Sequence, residues 1–179
     1  MFGICNLSIV PIRKESSDSS EMTSQMIFGE HFTVLEKGKN WSKIKLFFDD
    51  YEGFVDNKQY EDISGFLFDK LSTRDQIYSG EIIDFITSSK NELITIPIGA
   101  RLPYFNNNEL QINLTKYLYE GKVLSGLLPK NEIIQQAFTF LNTPFLWGGK
   151  TPFGIDCSGF TQMVYKLCGY KLFRDTKQQ

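Results

Sequence analysis

The stretch that most restricts how this chain can fold runs from Trp147 to Gly169, where a tight loop must deliver one cysteine to a helix start. Gly148, Gly149, Pro152 and Gly154 punctuate the loop, as turn-forming residues do. Asp156 reads as the N-cap of a helix, because its short carboxylate can accept from the free N–H groups of the first turn. Phe160, Met163, Val164, Leu167 and Cys168 recur at i, i+3, i+4, i+7 and i+8, which is one apolar stripe of a helix. Gly169 follows at the position where helices commonly end in the left-handed conformation. Cys157 therefore takes the first helical position, where unpaired N–H groups and the positive end of the dipole favour an anionic side chain. Gly159 leaves room for a backbone approaching from the other side. The arrangement suits a nucleophile. A free cysteine is as often a small buried hydrophobe, and placement alone leaves both readings open.

Length and composition set outer bounds. A chain of 179 residues makes one large domain or two to three small ones. Its 41% hydrophobic and 15% aromatic content supports folded cores rather than disorder. A net charge of −2 gives no reason to expect nucleic acid or an anionic membrane as partner. The three cysteines, Cys5, Cys157 and Cys168, have no metal-ligand spacing and form no disulfide framework. No metal or cofactor is expected, and free thiols fit a reducing compartment. The N-terminus has no basic region ahead of its short apolar run, so a cytoplasmic location is expected.

From the start to about Tyr60 the chain reads as short strands. Phe32 to Leu35 is a β-rich run after Gly29, with Gly38 and Asn40 marking a turn. Trp41, Ile44, Leu46 and Phe48 follow, then Asp49 and Asp50 turn into Tyr51-Glu52-Gly53-Phe54-Val55. A later segment echoes this, with Tyr119-Glu120-Gly121-Lys122-Val123 standing where Tyr51 to Val55 stood. Gly99 takes the place of Gly29, and Asn106-Asn107-Asn108 supplies the turn before Leu110, Ile112 and Leu114 alternate as a half-buried strand. Two short-stranded units in tandem predict two small, strongly bent β-barrels at residues 1–62 and 63–128. A third part, residues 129–179, opens with a helix from about Asn131 to Asn142. Its predicted apolar face is Ile133, Ile134, Ala137, Phe138 and Leu141.

The segment PFLWGGKTPFGIDCSGFTQMVY resembles the signature of the NlpC-type cysteine peptidases of cell-wall turnover (the NlpC/p-sixty family). Trp147, Gly148, Gly149, Pro152, Gly154, Asp156, Cys157, Ser158, Gly159 and Phe160 all match, and Arg174, Asp175, Gln178 and Gln179 resemble the family's next segment. The resemblance covers the last third of the chain. It implies that residues 129–179 are the N-terminal helical part of an α+β papain-like catalytic domain, incomplete at Gln179. It also implies that the β units are bacterial Src-homology-3-like modules. The expected fold is thus mostly β plus α.

That architecture resembles cytoplasmic γ-D-glutamyl-L-diamino acid endopeptidases, which act on free muropeptides and require an N-terminal L-Ala. By motif position the resemblance makes Cys157 the nucleophile. Asp156, Ser158 and Tyr51 become binding residues for the substrate amine, with Glu21 a further candidate. The expected partners are peptidoglycan stem peptides or muropeptides, and the complete protein is expected to be a monomer. Phe145 stands where many family members carry an oxyanion-stabilising tyrosine; it reads equally as a core residue.

The general base is the difficulty. A thiol near neutral pH usually needs an imidazole partner, and the single histidine, His31, falls in the first β unit. There it reads as a strand-surface residue. The family's base lies several dozen residues beyond the cysteine, whereas only residues 158–179 follow Cys157 here. The chain is therefore expected to be the N-terminal part of a longer product and inactive alone. The apolar stripe of the Cys157 helix is expected to lack its cover. The alternative is a non-catalytic muropeptide- or protein-binding module with a vestigial peptidase segment.

Overall fold

The computed structural model describes residues 1–179. The first unit contains β1 (Phe2–Ile4), β2 (Ile9–Arg13), β3 (Met22–Ile27), β4 (His31–Lys37), β5 (Trp41–Leu46), β6 (Glu52–Asp56) and β7 (Glu61–Ile63). These make one seven-stranded antiparallel sheet in the order β3-β2-β6-β5-β4-β1-β7. The sheet leaves β3 and β7 as free edges, so the expected barrel does not close through hydrogen bonds. Alternation along β5 turns Ser42, Ile44 and Leu46 inward. There Ile44 and Leu46 join Val10, Ile12, Phe32 and Val55 in a core belonging to this unit alone.

The second unit begins with a helix that the strand-like reading of the sequence missed, α1 (Gly65–Thr73), capped by the Ser64 hydroxyl on the Leu67 N–H. It continues through β8 (Ile77–Ser79), β9 (Ile83–Ser88), β10 (Leu93–Pro97), β11 (Glu109–Ile112), β12 (Thr115–Leu118) and β13 (Val123–Ser125). Here too the expected barrel is not closed. A four-stranded sheet, β10-β9-β12-β11, stands apart from the β13-β8 pair. Leu110 and Ile112 are buried as the alternation requires. Leu114 is 95% exposed, because Asn113 at φ 48° has already turned the chain into a hairpin.

The core of the second unit is shared with the first. Ile4, Phe28 and Ile63 of the first unit pack with Leu71, Ile86, Ile96 and Leu102 of the second. The backbone joins them as well, since the Arg101 N–H donates to the Phe28 carbonyl at 2.9 Å.

The last part holds α2 (Glu132–Thr139), a two-stranded hairpin of β14 (Lys150–Thr151) and β15 (Gly154–Ile155), and α3 (Cys157–Leu167). Helix α2 is shorter than its apolar pattern and turned away from it. Ile133, Gln136, Ala137 and Phe140 face inward, while Ile134, Phe138 and Leu141 are each more than 60% exposed. The larger correction concerns α3. Met163, Val164 and Leu167 are at most 3% exposed, against an expectation that nothing in this chain would cover them. The cover comes from both β units, through Ile27 of the first and Tyr78, Ile98 and Leu124 of the second. Burying each of the three is worth roughly 1.5–3 kcal/mol relative to exposure. No helix is long and apolar enough to cross a membrane.

Candidate active site

The site is a loop and a helix start leaning on the β3 edge of the first unit. Asp156 caps α3 as expected, its Oδ1 accepting from the Gly159 N–H at 2.7 Å. Its Oδ2 accepts from the Gly148 N–H at 2.8 Å, which ties the glycine loop to the helix start. Gly159 is required because a Cβ there would lie 2.2 Å from the Gly149 carbonyl oxygen. Gly148 adopts φ +76°, and a Cβ there would meet the Met22 carbonyl at 2.5 Å. The loop therefore touches both α3 and β3 with its bare backbone.

Beneath this sits Arg174, 1% exposed and the largest fully buried side chain in the molecule. Its guanidinium grips Asp156 with two parallel bonds, Nη1 to Oδ1 at 3.0 Å and Nη2 to Oδ2 at 2.7 Å. Such fork-to-fork pairing fixes geometry as well as charge. Nη1 also donates to Ser158 Oγ at 2.7 Å and Nε to Ser24 Oγ of β3 at 3.1 Å. Burial alone would raise the Asp156 carboxyl. The Arg174 hydrogen bond and charge and the Gly159 and Gly148 N–H groups outweigh it and hold the group below the ordinary carboxylate range.

Cys157 is exposed at the first position of α3. The reading of this cysteine as a buried hydrophobe therefore fails, although it describes Cys5 and Cys168, both fully buried. Arg174 pairs with the carboxylate one residue away at 2.7 Å.

The first unit adds further ties. Glu21, just ahead of β3, accepts from Trp147 Nε1 at 2.8 Å. Gln25 Oε1 accepts from the Lys150 N–H at 2.7 Å, and Asp49 Oδ2 from Gln162 Nε2 of α3 at 2.8 Å. Tyr51 donates to the Thr23 carbonyl at 3.5 Å, on the ridge where Gly148 rests. Its hydroxyl is pushed up by burial first and by Asp175 and Asp49, against the Thr23 hydrogen bond and Arg174. Deeper in, Glu30 meets Lys166 of α3 at 2.8 Å and Lys150 at 3.3 Å. Burial raises the Glu30 carboxyl, and the two lysines more than reverse this and bring it to about 2.

Chains of contact thus connect Cys157, Asp156, Ser158, Glu21 and Tyr51 around one loop. Asp156 and Ser158 are buried and engaged with Arg174, so they build the site from below. Glu21 is exposed and Tyr51 half-buried. Phe145 is 71% exposed, which overturns the core reading of this residue. His31 is not a surface residue. It is 2% exposed, its ring tilted 30° against Phe47, with Nδ1 accepting from Arg101 at 2.6 Å and Nε2 3.1 Å from Ser72 Oγ. Desolvation, then the Arg101 charge, lowers it to about 3. No hydrogen bond or ring contact of His31 reaches the Cys157 loop.

Two stretches match family models. Residues 12–59 match the bacterial dipeptidyl-peptidase Sh3 domain, and residues 142–179 match the NlpC/P60 family. The last segment is thus similar to the NlpC/P60 family, and most of the first unit to a dipeptidyl-peptidase Sh3 domain. The chain is 22% identical over 185 residues to dipeptidyl-peptidase 6 of Lysinibacillus sphaericus, covering 88% of this chain and 66% of that protein. It is also 22% identical over 191 residues to a gamma-D-glutamyl-L-lysine dipeptidyl-peptidase of Bacillus cereus, covering 91% of this chain and 55% of that one. The chain thus spans between about half and two thirds of these curated relatives. The fold is similar to the crystal structure of an NlpC/P60 family protein from Bacillus cereus ATCC 10987, with TM-score 0.81 and 18% identity. That match covers 100% of this chain and 76% of the other.

The sequence matched Arg174 to a family segment without giving it a role, gave none to Ser24 or Gln25, and marked Asp49 as a turn residue only. Their contacts span more than a hundred residues. No local pattern could have paired them.

Proposed function

We propose that this chain carries the nucleophile and the amine-binding wall of a cysteine peptidase acting on peptidoglycan-derived peptides. Its bond is the one between γ-D-Glu and the diamino acid of free muropeptides that begin with L-Ala. The observation that carries this is the exposed Cys157 at the start of α3, over an Asp156–Arg174 clamp braced on Ser24. In this reading Cys157 attacks the scissile carbonyl, and the N–H groups of the first helical turn stabilise the oxyanion. A substrate ammonium at a closed subsite needs a carboxylate. Glu21 supplies it, because Arg174 already neutralises Asp156. Tyr51 and Trp147 close the subsite from either side. The two β units act as Src-homology-3-like modules that frame this wall, and the protein works in the cytoplasm as a monomer.

The base is a histidine outside residues 1–179, since His31 is buried with both ring nitrogens occupied. The test uses L-Ala-γ-D-Glu-diamino acid tripeptide and its N-acetylated form. Residues 1–179 alone are expected to turn over neither. A longer product containing them should cleave the free peptide, lose that activity on Cys157→Ala, and spare the acetylated one. Turnover by residues 1–179 that depends on Cys157 would overturn the external base. Equal rates on the two peptides would overturn the amine subsite. A longer product that binds the peptide without cleaving it would favour the non-catalytic binding module.

A further inference from the structure

A cleft of about 370 Å³ lies at the opposite end of α3 from Cys157. At 1.5 Å per helical residue, Lys166 sits roughly 14 Å along the axis from the cysteine. All three parts of the chain build the cleft, with Phe47 and Phe48 from the first unit, Arg74 and Tyr78 from the second, and Lys166 and Lys171 from the last. Phe47, Phe48, Gln76, Tyr78 and Lys166 also line a narrow recess reaching Glu30 and Arg101. The volume falls in the usual range for small-molecule sites.

Charge in and behind the cleft is unbalanced. Its lining holds three cations, Arg74, Lys166 and Lys171, against one acid, Asp75, and the exposed Lys171 also meets Asp50 outside the lining at 3.7 Å. Arg74 has no carboxylate partner, and its guanidinium lies 4.5 Å from the Tyr104 ring centroid. Lys166 is buried and meets a single oxygen, that of Glu30, which it shares with Lys150. The rest of its ammonium faces rings, 5.1 Å from the Phe48 centroid and 4.9 Å from that of Tyr78. Behind it Arg101 is also buried, bonded to His31 and to the Leu71 carbonyl but to no acid. Apart from the paired Asp156 and Arg174, two buried carboxylates, Glu30 and Asp49, stand against three buried cations, Lys150, Lys166 and Arg101. Positive charge withdrawn from water without a counterion is costly. An anion entering between Arg74 and Lys166 supplies one, and the aromatic walls favour a flat apolar body behind it.

We propose that this cleft is a second ligand site, separate from the cysteine, for a small carboxylate carried on a flat apolar body. The probes are benzoate and the uncharged benzamide of nearly the same shape, titrated into residues 1–179 and followed by amide chemical shifts. Benzoate is expected to bind saturably, shifting Gly126 and Gly169 while leaving Gly148 and Gly159 still. Benzamide should bind at least about tenfold more weakly, a loss of about 1.4 kcal/mol. The exposed double variant Arg74→Gln/Lys171→Gln should weaken benzoate by a similar factor while keeping the fold. Equal binding of the two probes, an unaffected double variant, shifts confined to the Cys157 end, or no saturation would each overturn the proposal. None of these outcomes depends on peptidase activity, so the proposal stands or falls apart from the one above.

Discussion

The two β units hold α3 by different means. The first unit reaches the helix and its loop with polar groups: Glu21 to Trp147, Ser24 to Arg174, Gln25 to Lys150, Glu30 to Lys166 and Asp49 to Gln162. The second offers Tyr78, Ile98 and Leu124 as apolar surface, and brings Gly99 so close that a Cβ would lie 2.6 Å from the Met163 methyl. Hydrogen bonds to charged groups are directional, whereas apolar burial is not. The first unit therefore sets how the nucleophile loop is oriented, and the second mainly keeps the helix attached.

Breaking the polar side should have the largest effect. Arg174→Met leaves the Asp156 carboxylate buried without a partner, and losing one member of such a pair costs about 3–5 kcal/mol. Urea unfolding should show that loss, together with a changed rate of Cys157 alkylation by iodoacetamide. Adding Asp156→Asn should return part of the stability. A loss below about 1 kcal/mol would mean that the clamp is not what holds the loop. On the apolar side, Met163→Ala should cost about 3 kcal/mol, within the range for a buried methionine. It should leave the alkylation rate of the folded protein unchanged. An equal change in that rate for both variants would erase the distinction between the units.

The smallest effect probes where the units meet each other. His31 of the first unit is held neutral down to about pH 3, whereas the unfolded chain takes up the same proton near 6.5. Between those values the unfolded state binds more protons, so stability falls as pH drops from about 6.5. The slope from this group is at most about 1.4 kcal/mol per pH unit. Glu30, brought to about 2, adds a loss of the same sign only below its ordinary value of 4.5. His31→Asn should flatten the stability profile between pH 6.5 and 4.5. A profile unchanged by that substitution would contradict the buried neutral histidine.

What the sequence made legible follows the range of each interaction. The cap at Asp156, the cysteine at the first helical position after it, the crowding at Gly159 and the stop at Gly169 are all set within about ten residues, and each could be read. The exposure of that cysteine could not be read from placement alone. The stripe of α3 was legible as a stripe, but its partner was not, since Ile27 and Ile98 are far off in the chain. His31 looked like a strand-surface residue because alternation along β4 gives no hint of α1 packing across it. Helix α1 itself was missed amid strand-like sequence, although Ser64 gave a capping signal. For α2 the direction was only partly right, since Ile133 and Ala137 pack inward as expected but Gln136 and Phe140, rather than Ile134, Phe138 and Leu141, complete the face.

The clamp under the cysteine also constrains the order of folding. Arg174 and Ser24 are 150 positions apart, and Lys166 and Glu30 are 136 apart. Contacts between distant parts of a chain carry the largest loop-closure cost and form late unless nearer contacts have already shortened the path. The first unit, whose core is local, can condense early and wait. The nucleophile loop has no comparable nucleus of its own, and its shape is imposed when Arg174 reaches β3. Cys157 should thus gain its final setting in the last steps of folding, after the surface it leans on is already made.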